Sequence, residues 1–166
     1  MGIFNKIIDI KKKRCTNRVK ARCLSCGENL KVNGKSIVNS NTILGDNVNF
    51  NGMTIQGNAK VKIGSNFHSG IECMMITDFH NYEGDAIPYD STVISKEIII
   101  EDNVWIGNRV IILGGSHIKE GAIIQAGSVV VGEIEQYAIA GGHPAKEFKK
   151  RNIEHYEKLK KEEKFH

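Results

Sequence analysis

The chain has 166 residues, 40% of them apolar, with 17 glycines against 2 prolines and a net charge of +4. That length suits one domain with its own core. No run approaches the roughly 18 apolar residues of a membrane span, no signal peptide is evident, and no basic stripe is interleaved with aromatics. A membrane-spanning, exported or nucleic-acid-binding protein is therefore not expected, and the cytoplasm is the default.

The N-terminal segment, 1–30, begins with an apolar set (Ile3, Phe4, Ile7, Ile8 and Ile10) ahead of a basic run, KKKR at 11–14. It fits a helix that caps the fold behind it, and it fits an amphipathic helix resting on a membrane surface; the cap is the preferred expectation. Lys6 stands where an N-myristoylation signal needs Ser or Thr. Of the four cysteines, Cys15, Cys23, Cys26 and Cys73, the pair Cys23 and Cys26 forms one CxxC. No second pair at matching spacing completes a zinc ribbon, so reduced thiols and no metal are expected.

From Ile100 the chain reads IEDNVW, IGNRVI, ILGGSH, IKEGAI, IQAGSV, VVGEIE. Ile100, Ile106, Ile112, Ile118, Ile124 and Val130 open these blocks, and Val104, Val110, Ser116, Ala122, Ser128 and Ile134 occupy their fifth place. The last is bulkier, so the pattern loosens there. LGDNVN (44–49), FNGMTI (50–55) and IGSNFH (63–68) carry the same beat upstream with slips of register. A period of six fits neither a helix nor a two-sided strand. It fits a triangular parallel β-coil in which each hexad is a short strand plus a corner and the first position points inward. The expected fold is an all-β solenoid over 31–148, with the charged stretch 149–166 as an exposed helical tail.

The beat stops at ITDFHNYEGDAIPYDSTVISKE, 76–97. An insertion at a corner costs only loop-closure entropy, and structureless loops of this length are usually functional. The segment is expected to be extruded from the coil, with His80 amid Asp78, Glu83, Asp85 and Asp90.

The sequence resembles the left-handed β-helix acyltransferases with hexapeptide repeats, in the branch of maltose and galactoside, xenobiotic, and surface-polysaccharide sugar O-acetyltransferases. The likeness rests on the hexads, VWIG at 104–107, QAGS at 125–128, the exit AGGHPAK at 140–146 and the histidine in the loop FHNYEGDAIPYD. The resemblance implies a homotrimer with active sites between adjacent subunits, acetyl-CoA as co-substrate, and the loop histidine, His80, as base. By the same likeness the pantetheine arm of CoA runs along Asn108, Ala126 and Gly127, and Lys146 and Lys149 meet its phosphates. Many relatives carry Lys or Arg where this chain has Gly132, so one phosphate contact is missing. His143 stands where relatives usually carry Asn and is expected to fill a turn.

The residues support that chemistry. A hydroxyl is a poor nucleophile at neutral pH, and an imidazole can take its proton as it attacks a thioester. Asp78 is the nearest acid to orient His80, with Glu83 and Asp85 as rivals. Asn81, Tyr82, Asp85 and Tyr89 are polar and aromatic, which suits a sugar acceptor, and Trp105 covers ligand or acceptor or packs at an interface. His68, His80 and His117 fall out of register for a shared metal. The expectation is sugar O-acetylation in surface-polysaccharide assembly, with xenobiotic acetylation, sugar N-acylation and a non-catalytic scaffold as alternatives.

Overall fold

The computed structural model describes residues 3–166. Helix α1 (Ile3–Arg22) leads into six coils. The first comprises β1 (Ser25–Cys26), β2 (Lys31–Val32) and a single bridge at Ile37. The second holds β3 (Thr42–Leu44), β4 (Asn49–Phe50) and β5 (Met53–Gln56), and the third β6 (Val61–Ile63), β7 (His68–Ser69) and β8 (Cys73–Ile76). A hairpin, β9 (Asp78–His80) and β10 (Val93–Ser95), then leaves the prism. The fourth coil is β11 (Ile98–Ile100), β12 (Trp105–Ile106) and β13 (Ile111–Leu113). The fifth is β14 (His117–Ile118), β15 (Ile123–Ile124) and β16 (Val129–Val130), and the sixth β17 (Glu133–Ile134) and β18 (Ala138–Gly142). Strand β19 (Ala145–Lys150) folds back antiparallel on β18, and α2 (Ile153–Lys161) follows.

Stacking the coils builds three parallel sheets, one per face of the prism. Face A runs β1-β3-β6-β11-β14-β17, face B runs β2-β4-β7-β12-β15-β18 before β19, and face C runs β5-β8-β13-β16. Every hexad-opening residue from Ile100 to Val130 is buried, as are Val104, Val110, Ser116, Ala122 and Ser128. Each fully buried aliphatic side chain contributes about 1.5–3 kcal/mol relative to exposure.

The register explains where the sequence pattern frays. Ile100 pairs with Ile118, a step of 18, but Ile118 pairs with Ile134, a step of 16. The corner at Gly132 is two residues short, so Ile134 takes the strand position of Ile118 rather than a corner position. Ile43 pairs with Lys62, a step of 19, which is the slip in the N-terminal half. Ile63 pairs with Ile100, a step of 37, so the hairpin adds about one coil's length without disturbing the stack.

Other boundaries differ from the sequence reading. The solenoid already begins at β1, before residue 31. Among the described residues α1 docks through its second half: Val19 is buried, and the Thr16 hydroxyl accepts a hydrogen bond from the Val32 N–H at 3.1 Å. The stretch read as a loop is a hairpin closed at its neck, where the Lys96 N–H donates to the Thr77 carbonyl at 2.9 Å. The C-terminal tail is not a free helix from residue 149. Residues to Lys150 form β19, Asn152 caps α2, and Tyr156 is buried.

The corner from face A to face B passes through a left-handed residue in every coil: Asn29, Asn47, Asn66, Asn103, Gly121 and Tyr137. Asparagine tolerates this conformation better than other side chains. The amides also form a ladder: Asn47 donates to Asn66 at 3.0 Å, Asn66 to Asn103 at 2.9 Å, and Asn103 to the Glu120 carboxylate at 3.2 Å. Asn66→Ala loses both the left-handed preference and two ladder bonds, whereas Asn66→Gly loses only the bonds. Urea denaturation is expected to show the alanine variant the less stable of the two by about 1 kcal/mol.

Candidate active site

His80 ends β9, opposite Val93 of β10. Its ring stacks on Tyr89 at 3.9 Å between centroids and 9° between planes. The hairpin tip is held from within. One oxygen of Asp90 accepts from the Thr92 N–H at 2.8 Å and the Thr92 hydroxyl at 2.5 Å, and the other accepts from the Asp85 N–H at 3.3 Å. A side chain on Gly84 would collide with the Asp90 carboxylate. Asn81 bonds Thr92 through its side-chain amide and its N–H, at 3.2 Å each. The tip is thus a built turn that presents Tyr82 and Tyr89 to solvent beside His80. Sequence reading noted Asp90 only as one acid among several; the Asp-x-Thr pattern, whose side chain turns back on the backbone, was the available signal.

Asp78 does not reach the imidazole. Its carboxylate accepts from the Asn58 N–H at 2.9 Å, the Asn58 amide at 3.0 Å and the Thr77 hydroxyl at 2.9 Å. Slight burial raises its pKa, but these bonds and one from Ser95 outweigh it and hold the carboxyl below the usual range. Asp78 pins the hairpin's root to the coil below. The group beside the His80 ring is Tyr89, which stiffens its orientation by stacking, while Asp85 is tied through its backbone to Asp90. Among the described residues no hydrogen bond engages the His80 ring nitrogens.

Asn108, Ala126 and Gly127 come together on another corner, between faces B and C. The Gly127 N–H donates to the Asn108 carbonyl at 2.8 Å, and the Asn108 side-chain oxygen accepts from the Ile71 N–H at 3.0 Å. His143 rests its Nε2 against the Gly127 carbonyl, so it ties the exit turn to this corner. Lys146, on β19, pairs with Gly141 of β18, which abuts Gln125, and Lys149 pairs with Ile139. Both lysines are exposed and crown the same end of the prism. Gly132 sits at the remaining corner with φ +86°, a conformation that disfavours Lys or Arg there. Cys73 is buried and donates its thiol to the Gly107 carbonyl at 3.1 Å, and burial pushes that thiol's pKa up. It is a packing residue.

Trp105 projects from face B in one column with Asn49 and His68 and is 52% exposed. The C-terminal tail folds over this column and leaves a cavity of about 460 Å³. Trp105, His68, Asn49 and Asn103 line its floor, and Leu159, Lys164 and Phe165 its roof. Burial, with His166 adding to it, lowers the pKa of His68. The roof is fixed at Glu120, which accepts from the Tyr156 hydroxyl at 2.9 Å and pairs with Lys160 at 2.5 Å. Sequence reading missed this contact, since nothing in a charged tail says which coil it will lie on.

The comparisons agree with the fold. Residues 97–132 match the bacterial transferase hexapeptide model (six repeats). A galactoside acetyltransferase solved in complex with coenzyme A superimposes with a TM-score of 0.73 at 28% identity, over 83% of this chain and 70% of that one. A chloramphenicol acetyltransferase of Agrobacterium fabrum is 37% identical over 76 residues, 46% of this chain and 34% of that protein. An Escherichia coli K12 protein whose name assigns it O-acetyl transfer in lipopolysaccharide biosynthesis is 41% identical over 69 residues, 41% of this chain and 35% of that protein. The chain spans between a quarter and just over half of the length of such relatives. The solenoid is a left-handed parallel β-helix. The chain carries bacterial transferase hexapeptide repeats over residues 97–132 and is similar in fold to acetyltransferases built on that repeat.

Burial raises the pKa of Glu120, but hydrogen bonds from Lys160 and Tyr156 outweigh it, and the net shift is downward from the ordinary 4.5. A depressed carboxyl pKa stabilises the docked tail above the ordinary value and loses that contribution as pH falls through the folded value. Trp105 is the only tryptophan. Its emission is expected to change as the tail loosens below about pH 4.5, and Glu120→Gln should abolish that pH-dependent step.

Proposed function

We propose that the protein transfers an acetyl group from acetyl-CoA to a hydroxyl of a sugar acceptor, with His80 as general base. The observation that carries this reading is the placement of His80 on a rigid hairpin, stacked on Tyr89, with its ring nitrogens free to take a proton. In the reaction the acceptor oxygen attacks the thioester carbonyl as its proton passes to His80. The carbon–sulfur bond then breaks, and the proton returns to the departing CoA thiolate. The exposed backbone at Ala126 and Gly127 is suited to the amide-bearing pantetheine arm, and Lys146 and Lys149 to the phosphates. Asn81, Tyr82, Asp85 and Trp105 supply amide, carboxylate and aromatic faces to a sugar. The E. coli likeness supports a role in surface-polysaccharide assembly. The Agrobacterium likeness supports a second reading, acetylation of a chloramphenicol-type hydroxyl, and an amine acceptor is a variant of the first.

Thiol release from acetyl-CoA with a panel of sugars, nucleotide sugars and chloramphenicol tests this. A sugar should release CoA, and His80→Ala should lose about a hundredfold or more in kcat. Release with chloramphenicol alone would favour the second reading, and no release with any acceptor would end the enzyme reading.

We infer further that the working unit is a homotrimer. The hairpin leaves the corner between faces C and A, whereas Asn108, Ala126 and Gly127 occupy the corner between faces B and C. A neighbouring copy can bring its His80 to that second corner. Co-assembling His80→Ala with Ala126→Trp, each inactive alone, should then restore about a quarter of the wild-type rate, because one interface in four pairs an intact histidine with an intact corner. A site contained in one chain would give no recovery.

A further inference from the structure

Helix α1 is longer than a cap requires. Its contacts with the coil come from its second half, through Cys15, Thr16 and Val19. A rise of about 1.5 Å per residue carries the first turns well clear of those contacts. There Ile7 is 46% and Ile10 52% exposed, and Ile8 is half-buried. Directly behind this apolar tip stands a ring of charge, Lys11, Lys12, Lys13 and Arg14, all exposed. Asp9 is the only acid in the helix sequence IFNKIIDIKKKRCTNRVKAR.

Apart from Lys6 and Asp9 beside the isoleucines, the two characters are separated along the axis rather than around it. A helix lying flat on a surface needs an apolar stripe over its whole length, and Lys11, Arg14 and Arg18 interrupt that stripe here. A helix entering a surface end-on needs an apolar tip and a cationic collar. The tip displaces water among headgroups, and the collar meets anionic phosphates at the depth where the apolar layer ends. An exposed pair of isoleucines with nothing to cover it is a cost in water, and the adjoining collar specifies an acidic partner.

We propose that the N-terminal half of α1 is a membrane-surface anchor that inserts its isoleucine tip into a bilayer rich in anionic lipid. The anchor goes beyond the acetyl-transfer reading and does not depend on it, because it is read by partition and not by turnover.

The test is co-sedimentation of the full chain with phosphatidylcholine vesicles, with and without 30 mol% phosphatidylglycerol. The wild type should partition onto the acidic vesicles and not the neutral ones, and 0.5 M NaCl should release it. Replacing Lys11, Lys12 and Lys13 by Glu should lower the partition coefficient on the order of a hundredfold. The double variant Ile7→Asp, Ile10→Asp should abolish binding while the far-ultraviolet spectrum and thermal midpoint stay unchanged, since neither residue packs on the coil. Equal partition to both vesicle types, or none, overturns the proposal. So does retained binding by both variants. A drop in molar mass by light scattering for the isoleucine variant would show instead that the tip joins copies of the chain, and would overturn it as well.

Discussion

Six coils stack because the corner from face A to face B is turned in the same left-handed way in each, even where other corners lengthen or shorten the step. A parallel ladder between successive coils forms only if the strand N–H groups meet carbonyls one turn away, and that demands corners that return each strand to register. The left-handed residues set that geometry. Asn29, Asn47, Asn66 and Asn103 occupy the same corner in four successive coils, and three of them pass one hydrogen bond up the column to Glu120. The buried aliphatic columns supply the driving force, and the corners supply the register that lets those columns align.

Rigidity of that kind makes the hairpin possible. Nineteen residues beyond the 18-residue step enter between Ile63 and Ile100, and both neighbours keep their strand pairing. The hairpin lies outside the core and is ordered by the bonds of Asp90 and Asn81 within it and by the Asp78–Asn58 contact that ties its root to the coil. It presents a stacked imidazole on a platform that does not share the prism's packing. Lids and loops elsewhere are usually mobile for the same reason, and here the tip bonds offset that tendency.

The repeat was legible in the sequence because period and burial are the same fact: an aliphatic residue recurs where the chain turns inward. Ile100 to Val130 could be assigned one by one. Ile134 could not, because a two-residue shortening at Gly132 keeps the composition of a hexad while changing its phase. The place of His80 on an extruded segment was legible from the broken period. The bonding of Asp78 was not. Asp78 and His80 lie two apart, which places them on one side of a strand, but the coil below claims the carboxylate first. The docking of α2 was invisible for a related reason. Tyr156 and Lys160 look like any charged helix surface until Glu120, far back in the chain, is placed beneath them.

The antiparallel return of β19 settles how the stack ends. Coils held by main-chain bonds can in principle add further coils, including those of another molecule, and grow into a fibre. Reversing direction at Pro144 places a strand on face B whose exposed groups are Lys146, Glu147, Phe148, Lys149 and Lys150, three cations against one acid. Like charges there repel a second prism arriving end to end. The lysines that crown the corner beside Ala126 and Gly127 thus also guard the molecule against polymerising through its own repeat.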